Sequence, residues 1–354
     1  MIWTNAILQG LLVGGLYALL ASGLSLVFGV MRIVNLGHGD FSILAAYLVL
    51  IVAGHSNLWL GTIAVLPIMA LLGYALQRSL LNRALSLGVL SPLLITFAFS
   101  IITMLALVIG EYAVSRWMKK RVFEFSDSLT NLACGILERT IFLLFVVIYY
   151  ASFTYFYNNY SLVHIPINPF TTVVLFIAVD FLWYWYHRAG HEINVLWAAH
   201  ITHHQSEEYN LTLSFRVSAI QLIIRMFFWL WLPILGFDPA LTTLIIGING
   251  AYQFFIHTRL INKLGFLEKI LVTPSHHRVH HGKNKKYIDK NYGGIFIIWD
   301  RIFGTFEREV EEVQYGITKP MRSHNPIVTW FHYFIITPID SYLFFIVIPC
   351  NDFI

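Results

Sequence analysis

The sequence predicts an all-α integral membrane protein, a multi-spanning helical bundle with a cytosolic histidine-rich dimetal site. Three observations predict it. The chain of 354 residues is 57% hydrophobic and only 12% charged, whereas a soluble domain has roughly 25% charged residues. Apolar stretches long enough to cross a bilayer, about 20 residues each, recur along the chain. Finally, eight histidines fall in three short clusters.

The predicted spans follow one another from the N-terminus. The first is too long, and has too few basic residues before it, to be a cleaved signal peptide. The second is short, which indicates a re-entrant piece or an interfacial helix. A last apolar stretch, Ile327 to Ile348, is interrupted by Pro338 and Asp340, so it predicts a broken span or a surface helix. The spans before this stretch, in order, are Ala6 to Val30, Phe41 to Ala53, Leu58 to Leu76, Val89 to Gly110, Ile141 to Tyr157, Phe170 to Tyr186, Val217 to Leu235 and Ala240 to Ile256.

The histidine clusters have the spacing of metal ligands. In H-x-x-x-H and H-x-x-H-H the imidazoles stand at i, i+3 and i+4, on one face of a helix. Eight imidazoles exceed what one ion can accept, so the clusters predict two metal ions. The predicted ligands are His187 and His191, then His200, His203 and His204, then His277, His280 and His281.

Zinc is the competing metal. A structural zinc site usually uses thiolates, but the only cysteines, Cys134 and Cys350, lie in hydrophobic stretches away from the clusters. The H-E-x-x-H motif of zinc proteases is absent at His191 and Glu192. The spacing therefore favours a two-metal redox site over a zinc site or a structural role.

Topology places the clusters on one membrane face. Two predicted spans separate His187 from His277, so the chain returns to the same side. His257 follows its span on this side, where it is either a ninth ligand or a hydrogen-bonded helix end. The net charge of +4 fits basic cytoplasmic loops rather than nucleic-acid binding. Basic residues mark the face as cytosolic, namely Arg188, Arg259, Lys263, Lys269, Arg278, Lys283, Lys285 and Lys286.

Residues from about Arg116 to Glu309 resemble the fatty acid hydroxylase and sterol desaturase superfamily of integral-membrane diiron enzymes, and within it the alkylglycerol monooxygenases. Three stretches carry the resemblance: DFLWYWYHRAGHEINVLWAAHITHHQSEEYNL (Asp180 to Leu211), YQFFIHT (Tyr252 to Thr258) and TPSHHRVHHGKNKKYIDKNYGGIFIIWDRIFGTFE (Thr273 to Glu307).

The resemblance implies an oxidoreductase with two iron ions on the eight cluster histidines. Such an enzyme uses O2 to hydroxylate a lipid chain within the membrane and takes electrons from an external donor. In alkylglycerol monooxygenases the substrate is an ether lipid and the reductant is tetrahydrobiopterin. Hydroxylation or desaturation of fatty acyl chains or sterols stays open as an alternative.

Two carboxylates are predicted to be catalytic. Glu192 matches an acidic residue required in the alkylglycerol enzymes, and the alternative is a solvated charge at a helix end. Asp180, seven residues before His187 on the same helical face, is expected to contact a ligand histidine, because an ionisable group in an apolar span is costly. Arg225, also inside a span, is expected to pair with a buried acid.

Two further features flank the last cluster. His276 directly precedes a ligand and is expected to point away from the site. Residues 289–294 followed by IFIIWDRIFGTF, Ile295 to Phe306, predict a turn and a short strand that closes over the metals.

The N-terminal part has a different resemblance. Residues Gly10 to Leu48 resemble the permease subunit of branched-chain amino-acid ABC transporters, and the pattern is expected to end at Ile102. We therefore predict a truncated permease-like anchor at 1–102, a catalytic domain at 103–312 and a hydrophobic tail at 313–354. Two alternatives from other classes are a non-catalytic permease-derived fusion that stores or senses metal and a zinc-dependent membrane hydrolase.

Overall fold

The computed structural model describes residues 58–87, 90–318, 320–321 and 323–336, with isolated positions 41, 44, 45, 48 and 49. Regular structure within these ranges is helical, apart from one antiparallel bridge between Leu271 and Phe296. The all-α prediction is confirmed. The predicted span Ala6 to Val30, eight of the thirteen residues of Phe41 to Ala53, and the last stretch beyond Ile336 lie outside the described residues.

The described helices differ widely in length. Short single-turn pieces connect the longer ones, with a π-helical turn at Gln77–Leu81 and 3₁₀ turns at Leu211–Phe215 and Gly265–Lys269. The α-helices are α1 (Leu58–Leu76), α2 (Asn82–Leu85), α3 (Leu90–Trp117), α4 (Phe125–Tyr160), α5 (Pro169–Glu192), α6 (Asn194–His204), α7 (Ala219–Trp229), α8 (Trp231–Leu235), α9 (Pro239–Phe255), α10 (Pro274–His280), α11 (Ile298–Ile302) and α12 (Pro326–Ile336).

Two stretches of described helix are long and apolar enough to cross a membrane, Leu60–Leu85 and Pro169–Glu192. A third candidate is the bent pair Phe125–Phe142 and Phe145–Tyr160, whose halves meet at 48°. The predicted spans Val217 to Leu235 and Ala240 to Ile256 correspond to shorter helices, since α7 has 11 residues and α9 has 17.

The chain divides into two compact units. The smaller unit is Met1–Ala106 with Ile167–Phe170, and the larger is Leu107–Pro166 with Thr171–Ile354. In the smaller unit, α1 continues through the π-helical turn into α2, and much of its apolar surface is exposed. All nine candidate ligand histidines belong to the larger unit.

The main apolar core of the larger unit lies beside the histidine-bearing end of α5. Large side chains from α4, α5, α7, α8 and α9 pack together there, and burial of such surface is the main force that holds these helices. Trp183 and Tyr186 continue this core to His187, whose ring centroid lies 6.3 Å from that of Trp183. The buried members are Phe153, Leu175, Val179, Trp183, Tyr186, Trp229, Leu232, Phe237 and Ile245.

The described part of the predicted tail, 313–354, packs against α6. Ile317 and Tyr333 join Trp197 and Ile201 in one buried cluster. The Gln205 amide donates to the backbone carbonyl of Thr329 at 3.3 Å. Helix α12 therefore supports the helix that carries the second histidine cluster.

The predicted strand over Ile295 to Phe306 is wrong. Only Phe296 forms a bridge, and the chain then enters α11. The Asp300 carboxylate accepts the backbone N–H groups of Tyr292 and Gly293 at 2.7 and 2.8 Å. These bonds fold the segment back on itself, so its backbone is satisfied locally instead of by a partner strand.

Gly236 allows a first test of this architecture. It ends α8 with a φ of 110°, and a Cβ there would lie 1.9 Å from the Val163 carbonyl oxygen. We expect Gly236→Ala to lower the free energy of unfolding by at least about 2 kcal/mol, because both the conformation and the contact are forbidden to alanine. Thermal unfolding of the detergent-purified protein measures the effect.

The matched control is Gly247→Ala in α9, where a Cβ would meet nothing within 4 Å. This variant should unfold at the wild-type temperature or slightly above it. Equal unfolding temperatures for the two variants would contradict the described packing at Gly236.

Candidate metal centre

Five of the predicted ligands form one buried group. His187 and His191 project from α5, one turn apart, and meet histidines of α6 and α10. One ring nitrogen from each residue lies within 4.8 Å of the corresponding nitrogens of the others. The five-histidine group consists of His187, His191, His200, His204 and His280.

The remaining four histidines form a second buried group under the same distance criterion: His203, His257, His277 and His281. His257, the ninth candidate, lies two residues beyond the end of α9 and completes this group. The two groups are contiguous, since the rings of His204 and His281 stack with centroids 4.4 Å apart.

Short helices position the last cluster. Pro274 opens α10, and a capping box between Thr273 and His276 satisfies its first backbone donors. Only seven residues long, α10 points His277, His280 and the C-cap residue His281 into the site, whereas His276 is used by the cap. His276 therefore points away from both groups, as the spacing predicts.

Backbone carbonyls fix the tautomer of four ligands. A carbonyl can only accept a hydrogen bond, so a ring Nδ1 that contacts one carries the proton and leaves Nε2 with a bare lone pair. The Nδ1 contacts are His187 to Tyr292 O at 2.8 Å, His203 to Arg216 O at 3.3 Å, His257 to Gln253 O at 2.6 Å and His280 to Lys290 O at 3.0 Å.

Ring nitrogens of neighbouring histidines face one another. His257 Nε2 lies 3.0 Å from His277 Nε2, and His187 Nε2 lies 3.2 Å from His200 Nε2. His257 Nε2 also lies 3.1 Å from His203 Nε2, and since both of these nitrogens are bare, their lone pairs repel unless a cation lies between them. In the described part of the chain, His280 Nε2 also has no hydrogen-bond partner. The donor set therefore fits two metal ions, one in each group.

Burial keeps these imidazoles neutral. Desolvation lowers the pKa of His257 to about 3. Desolvation and the neighbouring imidazoles hold the pKa values of His203, His204 and His281 well below the ordinary range. Neutral imidazole is the form that binds a metal, so the site is ready to accept ions at neutral pH without losing protons first.

Asp180 supports the site through the loop that follows α10. Its carboxylate accepts the backbone N–H groups of Ile295 and Phe296 at 2.6 and 3.1 Å, together with the Trp299 indole N–H at 2.9 Å and the Asn249 amide at 3.0 Å. None of these four partners is a histidine, so the direct contact predicted from sequence is replaced by a contact to the backbone. A Cβ at Gly294 would lie 2.6 Å from Asp180 Oδ1, which requires glycine at this approach.

Glu192 and Asp289 are carboxylates at the edge of the five-histidine group. Glu192 pairs with Arg188, one turn earlier, at 2.7 Å, and its side chain is 44% exposed. Asp289 Oδ1 lies 3.6 Å from His191 Nδ1. Burial raises the pKa of Asp289 to about 6. The sequence pattern assigned Asp289 only to a turn, and its positive φ of 58° agrees with that turn.

Sequence reasoning missed Glu111. This buried carboxylate accepts the Leu211 N–H at 2.7 Å and the Thr258 hydroxyl at 2.5 Å, and so joins the loop after α6 to the segment that carries His257. Its only signal in the sequence is an acid directly after the predicted span Val89 to Gly110.

Arg216 is a second missed residue. Its guanidinium donates to Asp127 and Asn131 at 3.0 Å each, in a buried network beside α6. Its own carbonyl orients His203, so the network supports a ligand.

Arg225 was predicted to pair with a buried acid. It instead donates to the Tyr186 hydroxyl at 3.4 Å and to the side-chain carbonyl oxygen of Gln221 at 3.3 Å. Its guanidinium also lies over the Trp183 ring at 5.2 Å.

A pair of tyrosines closes the four-histidine group on its outer side. The Tyr209 ring stacks on His257 at 5.7 Å and meets His281 edge-on at 5.3 Å. On its other face it stacks on Tyr315 at 4.9 Å. The Tyr209 hydroxyl donates to the Ile256 carbonyl at 2.9 Å, which holds the ring in place.

The sequence that carries this site resembles known proteins. The sequence profile described as "Fatty acid hydroxylase" matches residues 172–305, which contain both histidine groups. This region of the chain is similar to the fatty acid hydroxylase family. Alkylglycerol monooxygenase from Homo sapiens is 46% identical over 231 residues, which are 65% of this chain and 52% of that protein.

The fatty acid hydroxylase resemblance extends to distant animals. The Danio rerio alkylglycerol monooxygenase is 44% identical over 197 residues, covering 55% of this chain and 44% of that protein. The Caenorhabditis elegans protein of the same name is 34% identical over 229 residues, covering 59% and 42%. The chain spans about half the length of these curated relatives or less. No solved structure matches it.

The chain belongs to a transport permease family through its first half. A profile described as "Branched-chain amino acid transport system / permease component" matches residues 6–190. The permease resemblance was expected to end at Ile102, and this match continues well beyond it, into the fatty acid hydroxylase region at 172–190. Apolar membrane-type helices have similar compositions in unrelated families, which accounts for an overlap through α5.

Substitution of single histidines tests the two candidate metal groups. Because His257 belongs only to the four-histidine group, we expect His257→Ala to remove about one of two bound metal ions per chain. His191→Ala should remove the other ion. Metal content by mass spectrometry on the purified protein measures both losses.

His276→Gln is the matched control, because glutamine at that position keeps the capping box of α10. It should bind both ions. If His276→Gln lost as much metal as His257→Ala, the assignment of the second group would be wrong.

Replacement of Asp180 tests the support provided by the loop. Asp180→Ala leaves two backbone N–H groups and an indole N–H without an acceptor, and we expect the free energy of unfolding to fall by about 3 kcal/mol or more. Bound metal should also fall, because Tyr292 O and Lys290 O, which orient His187 and His280, belong to the same loop.

Asp238→Ala, which removes only the N-cap bond to Leu241 at the start of α9, is the control for Asp180→Ala. It should cost about 1 kcal/mol and leave the metal in place. Thermal unfolding and metal content are measured for both variants. Wild-type values of both quantities for Asp180→Ala would refute the supporting role of Asp180.

Proposed function

We propose that this chain is a membrane diiron monooxygenase that hydroxylates a lipid chain with O2, and that its substrate is an alkyl glycerol ether. The observation that carries the proposal is the convergence of nine buried histidines into two contiguous groups. The substrate rests on the resemblance to alkylglycerol monooxygenases, which the chain matches over about half their length.

The reaction has a simple balance. One oxygen atom of O2 enters a C–H bond and the other leaves as water, with two electrons and two protons from an external donor. For an ether lipid the carbon beside the ether oxygen is hydroxylated, and the hemiacetal collapses to an aldehyde and a glycerol derivative. By resemblance, the donor is tetrahydrobiopterin.

The two histidine groups would hold the iron ions, which when bound supply the reduction of O2 and the oxidation of the C–H bond. The protein itself fixes the ligand rings through the carbonyls of Tyr292, Arg216, Gln253 and Lys290. Complete burial of the histidines excludes water from the site and so limits side reactions.

An apolar slot is the proposed entry for the lipid chain. It measures about 100 Å³ and lies between α4 and α7. Six of its seven side chains are hydrocarbon or thioether, and the seventh is Tyr149, which packs against the core beside His187. The lining residues are Phe142, Phe145, Ile148, Tyr149, Leu222, Ile223 and Met226.

In this proposal the site faces the cytosol, and three segments of the chain have separate roles. The basic residues around the histidines support an orientation in which the site faces the cytosol. Residues 1–102 act as a membrane anchor from a fusion, 103–312 form the catalytic domain, and 313–354 form a tail whose described part supports α6.

Metal analysis with oxygen labelling tests the proposed reaction. We expect about two irons per chain in protein expressed with ample iron, and transfer of ¹⁸O from ¹⁸O2 into the aldehyde released from an alkyl glycerol. The control is a His203→Ala, His280→Ala double variant, which removes one ligand from each group and should lose both irons and the label. Zinc in place of iron, with turnover that persists without O2, would establish a hydrolase and overturn the proposal.

Glu192→Gln tests the proposed catalytic carboxylate separately. We expect it to lower turnover at least tenfold while both irons stay bound, because the side chain lies outside the histidine groups. Glu307→Gln, which breaks the exposed pair with Lys286, is the control and should keep full activity. Wild-type turnover for Glu192→Gln would show that the Glu192 carboxylate is not catalytic and is only a surface charge.

A further inference from the structure

An open cleft of about 860 Å³ lies on the outer side of the four-histidine group. Three segments of the larger unit form its walls: the loop after α3, the segment after α9 and the strap at 309–315. The lining residues are Lys120, Arg121, Val122, Arg259, Asn262, Lys263, Arg278, Glu309, Val310, Glu311, Glu312, Val313 and Tyr315.

Two of the five cations in the cleft are already engaged. Arg278 forms a two-pronged pair with Glu309 at 2.8 and 2.6 Å and also donates to the Thr258 and Ile261 carbonyls. Arg259 pairs with Glu208 and lies over the Tyr315 ring. These contacts make a rigid floor rather than a binding group.

The other three cations are available to a ligand. Lys120, Arg121 and Lys263 are exposed, and none forms an ion pair with any residue that the structure describes. All three line the same open cleft. The Glu311 carboxylate, which also lines the cleft, accepts a hydrogen bond from Asn284 at 3.0 Å.

Exposed aromatic residues flank the basic loop between α3 and α4. Trp117 at the end of the apolar helix α3 is 83% exposed, and Phe125 at the start of α4 is 81% exposed. Lys119, Lys120 and Arg121 fall between these two aromatic rings. Exposed aromatic rings next to basic residues mark the membrane–water interface, where the nearest anions are lipid phosphates.

We propose that this cleft binds the phosphate of an anionic phospholipid headgroup through Lys120, Arg121 and Lys263. The bound lipid is a component of the membrane, not the substrate, so the proposal is independent of the proposed reaction. Its inner wall, Tyr315, stacks on Tyr209, which contacts His257 and His281, so an occupied cleft buttresses the tyrosine pair that closes the four-histidine group.

Binding of a short-chain, water-soluble phosphatidic acid to the full chain in neutral detergent tests the proposal. We expect saturable binding that weakens as salt rises, because exposed charges are screened. A Lys120→Gln, Arg121→Gln, Lys263→Gln variant should bind roughly 100-fold more weakly, since each basic residue contributes about 1 kcal/mol toward an anionic lipid.

The control variant is Lys269→Gln, Lys285→Gln, Arg308→Gln, which removes the same charge from exposed positions outside the cleft. It should bind within twofold of wild type, and both variants should unfold at the wild-type temperature. Equal weakening in the two variants would show only non-specific attraction and overturn the proposal.

Two competitors identify the source of the phosphate. Short-chain phosphatidylcholine should compete at least tenfold more weakly than phosphatidic acid, and so should inorganic phosphate. Inorganic phosphate that competed as well as the lipid would make this a site for a soluble anion. Phosphatidylcholine that competed equally would show that charge does not select the ligand. Lys263→Glu alone provides a second variant, and unchanged binding to it would also overturn the proposal.

Discussion

Bare ring nitrogens that point at one another are the constraint on which the rest of this structure depends. The Nε2 atom of His257 lies 3.1 Å from that of His203 and 3.0 Å from that of His277 in a buried site. Protonation, the usual way to satisfy such a contact, is opposed because burial lowers the pKa of His257 to about 3. A metal cation satisfies the lone pairs without that cost. The surrounding fold therefore has to hold the rings in one orientation.

That orientation comes from loops rather than from the long helices. Four ligand rings donate to carbonyls, three of which lie outside regular helices, and such loops need anchors of their own. Asp180 and Asp300 hold the loop after α10 through its backbone N–H groups. Asn291, in a left-handed conformation, bonds the carbonyls of His276 and Glu307. Glu111 accepts hydrogen bonds from the Leu211 N–H and the Thr258 hydroxyl, and so holds the segment that carries His257. Buried carboxylates in this chain mainly hold backbone, and the backbone holds the imidazoles.

The limits of sequence reasoning follow from this division. The all-helical fold and eight of the histidines could be predicted, because apolar length and i, i+3, i+4 spacing are local properties of the chain. His257 has no such spacing, and its position after a span left a hydrogen-bonded helix end as an alternative. Asp180 was identified as significant from its cost in an apolar span, but its partners, 115 and 116 residues away in sequence, could not be. Arg216 has no local pattern, and the only signal for Glu111 is its position directly after a predicted span. The short helix α11 replaced a predicted strand because Asp300 satisfies the preceding backbone, which alternation of residue types does not reveal.

A metal ion bound by neutral imidazoles needs a negative charge nearby, and Asp289 lies beside the five-histidine group. Imidazoles are neutral, so two cations bound only by the nine histidines would place several uncompensated positive charges in a dry site, which is costly. Carboxylates are absent from both groups among the described residues, and two lie at their edge. Glu192 is partly neutralised by Arg188 and is 44% exposed. Asp289 lies 3.6 Å from His191 Nδ1, and burial raises its pKa to about 6. A nearby cation would reverse that shift and favour the ionised form. Asp289, which the sequence pattern assigned only to a turn, is therefore better placed than Glu192 to balance the charge of a bound metal, whereas Glu192 remains accessible to a ligand or a proton from outside.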